Sequence, residues 1–72
     1  MDTGTELAIR AVIRGLFQTD AINADQVRGV MTALKDAAGE AMERHDPVTA
    51  KELVALCKGL RADTAVTTHE SV

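Results

Sequence analysis

His45 and Cys57 are the side chains of this sequence best suited to chemistry, and both lie in the stretch "RHDPVTAKELVALCKGL". A thiolate beside an imidazole can act as a nucleophile with its base, and cysteine with histidine can ligate zinc. The sequence completes neither arrangement. A structural zinc site closes with about four ligands at tight spacing, and the second histidine, His69, falls close to the end of the chain. Catalysis by cysteine also needs an orienting group and an oxyanion hole. A free cysteine is otherwise among the most buried residue types and packs like a small hydrophobe, so Cys57 is expected in a core. His45 is expected at a helix end, where the dipole favours a cation, and it alone is retained as a pH-sensitive contact.

Other chemistries lack their residues. Ser71 is the only serine and stands next to last, which argues against a serine hydrolase and against a carrier that bears phosphopantetheine on a helix-start serine. No GxxxxGK[ST] or GxGxxG is present for nucleotides. The expectation is therefore a non-enzymatic protein with no catalytic, cofactor-binding or metal-ligating residue and no cofactor. Ala55, Gly59-Leu60, Thr64 and Val66 together resemble the helix-turn-helix of bacterial regulators, over residues 51–68. That resemblance implies a recognition helix from Asp63 to Val72. The segment holds no Lys or Arg for phosphate contacts, and the net charge of −3 and pI near 5.2 also argue against nucleic acid.

The elements that must position these residues read as helices. Hydrophobic residues make up 46% of the 72, almost all aliphatic, with Phe17 the sole aromatic. Ala, Leu, Glu, Lys, Arg and Met favour helix, whereas strands want β-branched and aromatic residues. The predicted fold class is all-α, a three-helix antiparallel bundle with a long central helix.

Helix 1 is predicted from about Thr5 to Phe17, capped by Thr3 or Thr5, with Ile9, Val12, Ile13, Leu16 and Phe17 on one stripe. Glu6, Arg10 and Arg14 make a solvent-facing ladder on the other side, where Leu7 is an isolated apolar residue. Asn23 and Gln26 form a capping box ahead of helix 2, predicted from about Ala24 to Arg44. Its apolar stripe includes Val27, Val30, Met31, Leu34, Ala38 and Ala41. Its acidic face of Asp25, Asp36, Glu40 and Glu43 is read as solvated. Asp46-Pro47 fits a cap followed by proline at the first helical position, and Thr49 with Glu52 offers a second box in a shifted frame. Helix 3 is predicted to end near Leu60 or Arg61. Residues 1–61 then form one domain, and residues 62–72 a frayed tail.

The unequal helix lengths carry the functional expectation. Helix 2 would be about 30 Å long and its neighbours about 20 Å each. Short loops place helix 1 along the first part of helix 2 and helix 3 along its last part. Apolar stripe is then left uncovered at both ends, and a two-fold partner could cover both at once. A chain this small often needs such a staple, since a single core rarely gives more than about 3–5 kcal/mol. The expected partners are a second copy, forming a homodimer, and an unidentified larger protein. The expected interface comprises Ile9, Val12, Leu16 and Val27 together with Met31, Leu34, Leu53 and Leu56. The chain reads as a small, acidic, cytoplasmic bacterial adaptor, regulator or inhibitor, with no signal peptide or membrane segment and a lone thiol suited to a reducing compartment. The rivals are a DNA-binding regulator and a structural subunit, which would form higher oligomers.

Overall fold

Asp2, Asn23 and Asp46 each place a side-chain oxygen ahead of a helix, and the computed structural model, which describes residues 1–65, has three α-helices behind them. These are α1, Thr3–Gln18; α2, Ala24–Glu43; and α3, Pro47–Asp63. No strand is present among the described residues. The predicted tail from residue 66, His69, Ser71 and most of the would-be recognition helix lie outside the described residues.

Each start has a chemical reason. Asp2, rather than Thr3 or Thr5, caps α1: its carboxylate accepts from the Thr5 N–H at 2.6 Å. An anion there also meets the positive end of the helix dipole, which a threonine hydroxyl cannot do. At α2 the predicted capping box forms in both directions, each hydrogen bond at 2.8 Å. At α3 Asp46 accepts from both the N–H and the hydroxyl of Thr49, with Pro47 opening the helix. The shifted Thr49–Glu52 box does not form, because Thr49 is already inside the helix and capped by Asp46.

The ends of α1 and α2 repeat one device. Asp20 and His45 adopt left-handed backbone, with φ of 62° and 61°. The Asp20 N–H donates to the Phe17 carbonyl and the Ala21 N–H to that of Leu16. The His45 N–H donates likewise to Met42 and the Asp46 N–H to Ala41. These are Schellman ends, usually built on glycine because a Cβ is strained at positive φ. Asp tolerates the conformation by local hydrogen bonding. His45 holds it because two backbone bonds and the capped start of α3 fix the chain on either side.

α3 runs past its predicted end. Thr64 is buried and its hydroxyl donates to the Leu60 carbonyl at 2.7 Å, so the last turn reaches Asp63.

The core is small and lies mostly between α2 and α3. Ala38, Ala41 and Ala50 form a buried cluster against which Leu53 packs. Small side chains allow the two helix backbones to approach closely. Leu56, Leu60 and Val27 are the largest fully buried side chains, and Cys57 is buried beside them. α1 packs more on α3 than on α2, which corrects the expected placement of helix 1 along helix 2. It contributes no buried residue. The reason is an ion pair that the helical pattern did not reveal: Arg10 lies across α3 and its guanidinium grips Asp63 with two hydrogen bonds, of 2.8 and 2.9 Å. Arg10 is half-buried and so is no part of a solvent-facing ladder. The amino group of Met1 pairs with Glu52 at the other end of this contact.

Candidate protein-interaction surfaces

The described chain keeps His45 and Cys57 apart. His45 sits exposed in the turn after α2, while Cys57 lies on α3 about 15 Å beyond its start at 1.5 Å per residue. The Cys57 Sγ points at the Met31 carbonyl oxygen, 3.9 Å away, and at no base. Among the described residues, no three His, Cys, Asp or Glu side chains converge as a metal site would require. No helix there is long and apolar enough to cross a membrane. The cleft between the end of α1 and the start of α2, lined by Phe17, Asp20, Ile22, Asn23 and Asp63, contains no Ser, Thr, Cys, His or Lys side chain.

The eight residues expected at an interface divide into three groups. Val27 and Leu56, each 2% exposed, are spent in the chain's own core and have no surface left for a partner. Met31, Leu34 and Leu53 are half-buried between helices. Ile9, Val12 and Leu16 are exposed, at 37%, 60% and 40% of their surface. The cause is the rotation of α1. Arg10, Ile13 and Phe17 turn toward the rest of the molecule, and the neighbouring sector, in which Ile9, Val12 and Leu16 share one line at 100° per residue, is left outside. The exposed line is apolar, and its spacing of three then four residues matches the seam of paired helices.

A second surface is not among the residues picked out from the sequence. On the flank of α3 away from Asp63 and Gly59, a groove between α2 and α3 is floored by Ala38, Met42, Pro47, Ala50 and Val54. A second hollow that shares Val54 with it adjoins along α3 and is lined by Lys35, Cys57, Lys58 and Arg61; the two together make up the α2–α3 groove. Met42 and Val54 are exposed apolar side chains in this groove. Its sequence signal was available: Pro47, Ala50, Val54, Cys57 and Arg61 follow one another at alternating three- and four-residue steps. The expectation of Cys57 in a core hides it, because Ala50 and Cys57 are buried and yet each also lines the groove.

Electrostatics fix the helix starts and the α1–α3 contact. The Thr5 N–H and hydroxyl hold the Asp2 carboxyl below its ordinary range, and the hydroxyl and N–H of Thr49 do the same for Asp46. The guanidinium of Arg10 lowers Asp63, and Asp63 in turn raises Arg10. Each of these charges is engaged within the fold, Asp2 and Asp46 at helix starts and Asp63 with Arg10.

No protein-family model, curated protein or solved structure matches the chain.

Proposed function

We propose that this is a non-enzymatic helical interaction protein: an antiparallel three-helix bundle that self-associates through α1 and acts on a larger protein as an adaptor, regulator or inhibitor. One observation carries the reading. α1 is a 16-residue helix with an apolar line, Ile9, Val12 and Leu16, yet it buries no residue within its own chain. A line of this kind is stabilised when a second apolar surface removes it from water, at about 25 cal/mol per Å². Two copies related by a two-fold axis would present the same line to each other, which closes the assembly as a homodimer. Such a protein would work in the cytoplasm.

Sedimentation equilibrium tests the self-association. The chain should sediment above its 7.7 kDa monomer mass at micromolar concentration, and Val12→Glu should return it to monomer with its helix content intact. Val12 is 60% exposed, so this change does not disturb the chain's own packing. A parent chain that is wholly monomeric overturns the dimer.

The DNA-binding reading has less support. A helix-turn-helix requires a turn at Gly59-Leu60, and α3 is unbroken there, continuing to Asp63. A salt-dependent retardation of DNA by the purified chain would restore it.

A further inference from the structure

We propose that the α2–α3 groove is the site at which the larger partner binds, and that the partner's binding element is an amphipathic helix with acidic flanks. This rests on the interaction-protein reading above and names the partner's chemistry. The first support is shape. The groove's α3 wall, Pro47, Ala50, Val54 and Cys57, repeats at the a and d spacing of a heptad, and Lys35, Ala38 and Met42 follow the same steps on the α2 wall. From Pro47 to Arg61 it extends about 21 Å at 1.5 Å per residue, roughly four helical turns. Grooves of this form take a helix whose apolar residues recur at i, i+3, i+4 and i+7.

The second support is charge. Lys51 and Lys58 each stand four residues after an a position, Pro47 and Val54, which places them at e, where a docked helix carries its complementary charges. Lys35 and Arg61 extend the same rim. All four are exposed, and none makes an ion pair among the described residues. Arg10, Arg28 and Arg44 are paired within the chain, with Asp63, Asp25 and Glu40. In a chain of net charge −3, four of the five Lys and Arg side chains without an ion pair among the described residues thus border one apolar groove, the fifth being Arg14 on α1. The carboxylates of Asp36, Glu40 and Glu43 line an adjoining hollow of α2, which meets the groove at Lys35 and Gly39, and they lie on the side away from Lys51 and Lys58. A Glu- or Asp-flanked helix would meet charge complementarity in the groove, and a Lys-flanked helix would meet repulsion.

The test uses synthetic peptides of about three heptads, with Leu at a and d, one Trp, and either Glu or Lys at e and g. The protein has no Trp or Tyr, so indole fluorescence reports the peptide alone. The Glu peptide should bind at least about tenfold more tightly than the Lys peptide, and should weaken by about tenfold between 50 and 500 mM salt. The double substitution Lys51→Glu and Lys58→Glu should reverse the preference. Equal binding of the two peptides, or binding of neither, overturns the proposal. Tighter binding by a peptide copying residues 1–20 of this chain would assign the groove to a second copy and overturn it as well. The dimer is scored separately, because its line is on α1. A monomeric chain that binds the Glu peptide keeps the groove and removes the dimer, and a dimer that binds neither peptide does the reverse.

Discussion

Gly59 marks the place where Arg10 crosses α3. A Cβ there would lie 2.7 Å from the Arg10 Nε and 2.9 Å from its Cδ and Cζ, closer than such atoms pack. The missing side chain lets the guanidinium lie against the helix and reach Asp63 with both hydrogen bonds. Glycine inside a helix costs about 1 kcal/mol relative to alanine, so Gly59→Ala alone would be expected to stabilise. The crossing works against that expectation. Gly59→Ala should stabilise the parent chain less than an Arg10→Ala background, where the gain should be about 1 kcal/mol, because in the parent the Arg10 side chain must first shift off the helix. Urea denaturation of the four chains in this cycle measures it, and an equal effect in both backgrounds refutes the crossing. Neither role was legible in advance. In sequence, Arg10 continues a ladder with Glu6 and Arg14, and Gly59 looks like a helix stop. Only the packing of α1 on α3, with residues 49 positions apart, gives either its role.

At the scale of the elements the sequence was more informative, because helix starts are local chemistry. Asn23 with Gln26, and Asp46 with Pro47, specify the starts of α2 and α3 within a few residues of chain. The ends were less legible: Asp20 and His45 occupy positions where glycine is the usual signal, and the end of α3 depends on the distant Arg10 and on burial of Thr64. The caps also carry a pH dependence. The Asp46 carboxyl is lower in the folded chain than its unfolded value of about 3.9. Its contribution is therefore complete above that value and is lost as the pH falls through the folded value. Asp46→Asn keeps an acceptor oxygen at the cap and removes the titration. The variant should lose less stability than the parent between pH 6 and about pH 3, as read by thermal unfolding. Parallel pH profiles for the two would exclude Asp46 as a source of acid sensitivity.

For the whole molecule, the apolar stripes were legible, but which part of each is covered was not. Ile9, Val12 and Leu16 are indistinguishable by type from Val27 and Leu56. Their different fates come from the rotation of α1 and from the alanine contacts that draw α2 against α3. The basic rim of the groove was hidden for a similar reason, since Lys35 and Lys58 are far apart in sequence and become neighbours only across two packed helices. A final consequence follows from α1 having no buried residue. Its release would uncover no fully buried side chain of α1 itself, so it should open before the α2–α3 pair unfolds. Amide hydrogens of α1 should then exchange with solvent much faster than those around Leu56 and Leu60. Raising the protein concentration should slow the α1 amides selectively, because self-association would occupy the face that the chain leaves bare. Exchange in α1 as slow as at Leu56 in dilute solution would show instead that the three helices open as one unit.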